Sequence, residues 1–366
     1  MQTTAKKIDF DFDPNNFDYD NLVNAHAKPD NKKQVIIDFI KENGIPSKAD
    51  PMSLFQPNGS AICDPFESYL SNSAFYSTGP FAKLANGTPL DFQYETTDGL
   101  KEQIEKYKDR SHFDLGTFVH EAILEPSKWD TVVCEPAASR ASHEGLDTLI
   151  RFWESQEKAL PGIPTDGMKV DAKKQYIADL QASTGLRSIE MKNALIVQRL
   201  HERWMQYENG LWANILAAGI REVSMYTDDY NGLPMRIRPD GLLFADQIGV
   251  NAVVSVKTTA ATTISQYARD FVKFGYNLKE SAYQRIASHI TGLDFSTTIM
   301  IVLSTAEPFH IGVFILNDNE MDGASERFHL SMETAKVCIQ SGSYPGWELN
   351  AGVGEMGIID LNVYNN

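Results

Sequence analysis

Cysteine is scarce in this 366-residue chain: Cys63, Cys134 and Cys338 are all it has, and they lie far apart. They make neither a disulfide framework nor a zinc spacing. They also fall short of the four thiolates that an iron–sulfur cluster normally takes. No apolar run is long enough to span a bilayer, and no charged-then-apolar leader is visible. A soluble, cytoplasmic protein without membrane contact is therefore expected. Positive charge is the third scarcity. Lys and Arg number 33 against 49 Asp and Glu, a formal net charge of −16, which is awkward for any protein that must grip phosphates.

The charge is unevenly spread, however. From Arg236 to Arg285 seven basic residues face four acidic ones, whereas the stretch after Arg285 holds two basic and ten acidic. A basic patch on an acidic body suits a protein that holds nucleic acid in one cleft and repels it elsewhere. On charge alone, a protein that never meets nucleic acid is the other reading. Hydrophobic residues make up 42% of the chain and charged residues 22%, a globular composition with ample material for a core.

Residues 1–33, with an Ile8-Asp9-Phe10-Asp11-Phe12-Asp13 alternation before Pro14, read as a flexible acidic and aromatic arm. Residues 34–366 read as a single domain, a helical elaboration over 34–218 and an α/β core over 219–350 that also takes in a helix over 114–125. Within the elaboration, a short helix is expected over 34–44. Another follows Ser71-Asn72-Ser73 as N-cap, and mostly helical chain over 140–218 is broken at 161–167. In the 114–125 helix, Leu115, Phe118, Val119, Ala122 and Ile123 share one face. The core should open with strands over 222–230 and 234–238 joined by the Asn231-Gly232 turn, and a strand over 250–256. Helices over 262–274 and 276–291, strands over 296–304 and 310–316, and a helix over 319–341 complete it.

Three motifs stand out against this background: Gly116-Thr117-Phe118-Val119-His120-Glu121 continuing to Leu124-Glu125-Pro126; Arg238-Pro239-Asp240; and Val253-Val254-Ser255-Val256-Lys257-Thr258-Thr259. An acid at the end of one strand and a lysine on the next bring a carboxylate and an ammonium to one pole of a sheet, and alternation sends residues 255 and 257 to the same face. Phosphodiester hydrolysis needs charge neutralised on the phosphate and water made nucleophilic near neutral pH, which a divalent cation held by a few oxygen ligands supplies. An ammonium such as that of Lys257 assists by polarising the water or stabilising charge on the phosphate.

The second and third motifs resemble the PD-(D/E)XK nuclease signature, and the whole set is similar to the exonuclease VIII (RecE-like) branch, related to the RecB nuclease domain and lambda exonuclease. That branch has a Gly-x-x-x-His helix before Leu-Glu-Pro, matching Gly116, His120 and Leu124-Glu125-Pro126. A glutamate opening the hairpin matches Glu222, and an Arg-Pro-Asp matches Arg238-Pro239-Asp240. After Lys257-Thr258-Thr259, Tyr276 to Tyr283 follows a Tyr-x-x-Gln-x-x-x-Tyr pattern. The likeness runs over roughly residues 65–350. It implies an α/β fold with a mixed central sheet flanked by helices, and a Mg²⁺- or Mn²⁺-dependent exonuclease acting on double-stranded DNA ends in recombination or repair. A single-strand-annealing recombinase as partner and a homo-oligomeric state go with it. His120, Asp240 and the Val256 carbonyl would hold the metal, and Lys257 would assist the water.

Two departures bear on activity. The branch's second acid falls at Ser255, a neutral and poor Mg²⁺ ligand, and its glutamine falls at Lys279. Some restriction endonucleases of this fold carry Ser-x-Lys and supply the missing acid from the following helix, and here Asp270 lies thirteen residues after Lys257. Asp270 or Glu222 would then complete the site; Asp270 beside Arg269 and Lys273 also reads as a solvated surface acid. A catalytically inactive DNA-binding or scaffold protein is the alternative that Ser255 raises. Lys273, Lys279, Arg285 and Arg238 are candidate contacts to DNA phosphates, the first three equally an exposed basic helix face. His120 alone would be read as a core histidine, and Asp240-Gly241 as a turn. Glu121 and Glu125 are expected to be structural, and Tyr276 and Tyr283 to pack rather than to stack on bases.

Overall fold

A computed structural model describes residues 31–51, 54, 61–97 and 111–347; most of the N-terminal arm expected over 1–33 lies outside them. Helix α1 (Lys32–Asn43) leads to strand β1 (Ala61–Ile62) and helices α2 (Phe66–Ser71), α3 (Thr78–Asn86), α4 (Pro89–Thr96), α5 (Ser111–Leu124) and α6 (Pro126–Trp129). Strand β2 (Val132–Glu135), helices α7 (His143–Glu154) and α8 (Val170–Thr184), strand β3 (Arg187–Glu190) and helices α9 (Met191–Gln206) and α10 (Leu211–Ala218) follow. Next come β4 (Ile220–Arg221), β5 (Ser224–Tyr230), β6 (Leu233–Ile237), β7 (Gly241–Leu243), α11 (Ala245–Ile248) and β8 (Ala252–Thr259). The last elements are α12 (Ile264–Lys273), α13 (Tyr276–Thr291), β9 (Thr297–Ser304), β10 (Ile311–Ile315) and α14 (Asp318–Ser341).

The central sheet has the order β10-β9-β8-β7-β4 and is mixed: β8 and β9 run parallel, and the other pairs antiparallel. The helix pair α12–α13 makes the crossover that a parallel pair requires. The 222–238 hairpin forms as expected, with Asn231 at φ 52° and Gly232 at φ 80° in its turn, a conformation that Asn and Gly adopt readily. It does not join the central sheet. With β1 it makes a separate three-stranded sheet, β1-β5-β6. The second small helix of the elaboration starts at Thr78, with Ser77 and not the Ser71–Ser73 stretch in the N-cap position. A short parallel pair, β2–β3, interrupts the helices around 140–218. At four residues each, these strands are too short for alternation to be visible in the sequence.

Two apolar layers sandwich the central sheet. On one side Val253 of β8 packs in a cluster with Leu278, Ala282 and Ile286 of α13 and Phe328 of α14. On the other, Val254 and Val256 pack with Val119, Ala122 and Ile123 of α5 and with Val197 and Leu216. The period of two along β8 thus turns residues 253, 255 and 257 toward α13, and residues 254 and 256 toward α5. A third cluster, with Leu146, Leu149, Trp153 and Ile177 at its centre, joins α7 to α8. Among the described residues no helix is long and apolar enough to cross a membrane.

Helix α5 approaches β8 closely at Gly116, where an added Cβ would lie 3.1 Å from Thr258 Oγ1. One helical turn later the same face presents His120. A Gly116→Leu variant is expected to push α5 off β8 and to destabilise the protein by about 1–3 kcal/mol, the usual penalty of overpacking, measured by denaturant unfolding.

Candidate metal centre

Helix α5, the β4–β5 connection and the start of β7 bring His120, Glu222 and Asp240 together at the end of β8. One ligand atom from each lies within 4.8 Å of the others. His120 Nε2 is 3.0 Å from the carbonyl oxygen of Val256 and 3.4 Å from Asp240 Oδ2, and its Nδ1 is 3.9 Å from Glu222 Oε1. Asp240 Oδ2 accepts the Val256 backbone N–H at 2.5 Å. Register explains the meeting: Gly241 stands opposite Val254 in the β7–β8 pair, so the residue before β7 reaches the stretch of β8 around Ser255 and Val256.

Glu222 is held by two constraints. Its φ of 56° is in the left-handed region, a strained position for a residue with a side chain. Its Oε2 accepts from Arg238 Nε at 3.0 Å. Arg238 is 8% exposed and is further bonded through Nη1 to Ser224 Oγ and to both the carbonyl and the carboxylate of Asp64. This corrects the expectation that Arg238 meets a DNA phosphate. A buried guanidinium needs partners inside the fold, and Arg238 spends its donors on fixing Glu222 beside the histidine.

The trio sits in a polarised setting. Burial disfavours charge on His120, but the neighbouring Asp240, through its charge and a hydrogen bond, outweighs it and pushes the imidazole up to about 9. Burial likewise opposes ionisation of Asp240, yet the charges of His120 and Lys257 hold its carboxyl at about 2. Glu222 is raised by burial and by Asp240, against the pull of Arg238.

Lys257 lies between two acids. Its Nζ is 3.8 Å from Asp240 Oδ2 and 3.6 Å from Glu280 Oε1, and it donates to Ser255 Oγ at 2.5 Å. Burial pulls the amine down, but these carboxylates raise it above its ordinary value. It is an ammonium at neutral pH, suited to holding water or phosphate oxygen rather than to abstracting a proton. Ser255, buried and turned toward α13, donates to Glu280 Oε1 at 2.7 Å.

Glu280 was missing from the residues that the sequence singled out. Its face of α13 also carries Asn277 and Gln284, so no apolar background marked it out in the sequence. Asp270, the acid expected to replace the one lost at 255, lies half-buried on α12 and outside the His120–Glu222–Asp240 group. The acid that touches Ser255 is Glu280.

The candidate phosphate contacts do not form one face. Lys279 Nζ and Lys257 Nζ each lie 5.9 Å from the Tyr276 ring centroid, and burial, with the charge of Lys257, lowers the Lys279 amine. Lys273 is exposed over Phe274. Arg285 pairs with Asp322 at 2.8 Å. Glu121 is clamped by Arg187 through two bonds of 2.7 Å, and Glu125 pairs with Lys128, both structural as expected. Tyr283 packs on the core at α13.

Imidazole nitrogen, carboxylate oxygens and a backbone carbonyl suit a divalent cation. Neighbouring ligands of a six-coordinate cation with bonds of about 2.1 Å stand roughly 3 Å apart, which is the spacing of His120 Nε2 from the Val256 carbonyl and close to its spacing from Asp240. By donor type and spacing, the set fits such an ion.

A mixed sheet with helices on both faces, carrying this group where a helix meets β7 and β8, is the frame of a PDDEXK-like domain. The chain belongs to the family described as "PDDEXK-like domain of unknown function (DUF3799)", whose model matches residues 93–348. Among solved structures, a protein from Eubacterium rectale assigned as a candidate exonuclease is 14% identical, with 82% of this chain and 96% of that one covered at a TM-score of 0.48. The protein SSO0001 is 13% identical, with 58% and 85% covered at a TM-score of 0.21. No curated protein matches the sequence.

Two outcomes follow from these contacts. Arg238→Met should cost about 3–5 kcal/mol, because it strands the partly buried acids Glu222 and Asp64 without their cation; denaturant unfolding reads this. Because His120 is raised from 6.5 to about 9 on folding, its stabilisation is complete below pH 6.5 and is lost as pH climbs through about 9. In EDTA, the wild type should therefore lose more stability than His120→Asn between pH about 6 and about 10, by denaturant titration.

Proposed function

We propose that this protein is a divalent-metal-dependent deoxyribonuclease that degrades linear double-stranded DNA from its ends. One observation carries the reading: His120, Glu222 and Asp240, from three separate parts of the chain, converge within ligand distance of one another, with the Val256 carbonyl 3.0 Å from His120 and the Lys257 ammonium alongside. A structural histidine would need none of that company.

Mg²⁺ or Mn²⁺ is the ion proposed. Bound there, it would neutralise phosphate charge and lower the pKa of a coordinated water. The chain's own residues do the rest. His120, Asp240 and the Val256 carbonyl hold the ion. Arg238 and the strained backbone at 222 keep Glu222 pointed at the same place. Lys257 lies 3.8 Å from Asp240 and donates to water or to the scissile phosphate. Lys279, sharing the Tyr276 ring with Lys257, is proposed as a contact to an adjacent phosphate. The local excess of basic residues from Arg236 to Arg285, on a chain of net charge −16, supports confinement of DNA to one cleft. By resemblance to the exonuclease VIII branch, the reading extends to a role in recombination or repair, a homo-oligomeric ring and an annealing recombinase as partner.

The test is Mg²⁺- or Mn²⁺-dependent release of nucleotides from linear duplex DNA. Wild-type protein should degrade it and EDTA should stop it. Lys257→Ala and Asp240→Asn should each lower the rate by at least roughly 100-fold, the scale of losing one electrostatic group from an active site. Closed circular DNA should survive if digestion starts at ends. Salt-dependent DNA binding without cleavage would replace this reading with that of an inactive DNA-binding protein, and absence of binding would remove DNA altogether.

A further inference from the structure

The position on β8 where a second acid is expected carries Ser255, yet negative charge is not lacking there. Glu280 reaches the same spot from α13. It is 2% exposed, its Oε1 accepts from Ser255 Oγ at 2.7 Å, and the same oxygen lies 3.6 Å from Lys257 Nζ. Its other oxygen, Oε2, is buried with no hydrogen-bond partner among the described residues. A buried carboxylate with one oxygen left unbonded is costly to keep; it lies on the face of α13 that also sends Gln284 to Thr298 of β9, while Leu278, Ala282 and Ile286 pack in the apolar cluster on the other side of the helix.

The geometry points to Glu280 as the acid that replaces, from helix α13, the charge that Ser255 cannot supply from strand β8; like Asp270 it lies outside the His120–Glu222–Asp240 group, and it acts on that group through Lys257. The inference rests on the nuclease reading above and gives that site its missing acid. Strand alternation turns Ser255 and Lys257 toward α13, so a short hydroxyl at 255 leaves room for a long acid from the helix. A carboxylate at 255 and another at 280 would compete for one place and repel each other. Ser255 then acts as the joint between the two elements: its hydroxyl donates to Glu280 and accepts from Lys257. The Lys257 ammonium thus has two carboxylates beside it, Glu280 at 3.6 Å and Asp240 at 3.8 Å. Glu280 is on this account a positioning residue for Lys257, and it contributes its charge to the cation that the His120–Glu222–Asp240 group holds.

The experiment compares Glu280→Gln, Glu280→Ala, the exchange Ser255→Glu with Glu280→Ala, and Asp270→Asn. Each is read by Mn²⁺ affinity in calorimetry, cleavage of linear duplex DNA and thermal unfolding. Glutamine keeps the size and can still accept from Ser255, so Glu280→Gln should fold. It should bind Mn²⁺ and cleave roughly 10–100-fold more weakly, the scale of losing an outer partner of a metal site. Moving the acid back to the strand should recover at least half of that loss on a logarithmic scale relative to Glu280→Ala, which a merely structural role would not produce. Asp270→Asn should behave as wild type. Wild-type Mn²⁺ affinity and cleavage in Glu280→Gln, with Lys257→Ala inactive, would overturn the inference and leave the nuclease reading standing. No recovery in the exchange variant would also overturn it. A wild type that cleaves no DNA, but whose Mn²⁺ affinity falls in Glu280→Gln, would retire the nuclease reading and keep the link of Glu280 to the metal centre.

Discussion

A single backbone hydrogen bond organises the site. The N–H of Val256 donates to Asp240 Oδ2 while the carbonyl of the same residue faces His120. Strand β8 therefore offers its donor and its acceptor to two side chains that meet at one point. Everything else serves this junction. The β7–β8 register brings Asp240 to it, Gly116 lets α5 come close enough to deliver His120, and Arg238 locks Glu222 at its rim. Loss of the register would scatter three groups at once, because a slip of one residue reverses every side chain on the strand.

Electrostatics couple the groups further. His120, Asp240 and Lys257 each carry charge in a place where burial opposes it: Asp240 sustains the charge of both cations, and they sustain its own. Alternating positive and negative groups hold the pocket together. The same arrangement means that entry of a cation must displace the imidazole proton, so ion binding and pH are linked. Mutual dependence of this kind makes single substitutions non-additive, and paired variants more informative than single ones.

Much of the frame was legible in the sequence. The Asn-Gly turn, the amphipathic face of α5 and the apolar runs of β8 and β9 are local signals, with causes that act over a few residues. The order of Gly116, His120, Glu222, Asp240 and Lys257, through its resemblance to a nuclease motif set, singled out three residues that the fold brings within 4.8 Å of one another: His120, Glu222 and Asp240. The β2–β3 pair and the short strands β4 and β7 were not legible, since two to four residues leave no period to read. Arg238 looked like a phosphate contact because charge suggests solvent. Only its enclosure by Glu222, Ser224 and Asp64 shows that it faces inward.

Composition and motif order thus determined the class of fold, the strand that carries Lys257 and the absence of an acid at 255. Tertiary structure decided which acid stands next to Ser255. Asp270 and Glu280 lie on consecutive helices after β8, and spacing along the chain does not separate them. The choice depends on how α12 and α13 are rotated against the sheet, and that rotation is set by packing: Leu278, Ala282 and Ile286 turn one face of α13 into the core, carrying Glu280 to the strand, while Asp270 lies at a half-buried position on α12. Helix rotation is a property of the packed whole, which no single residue encodes.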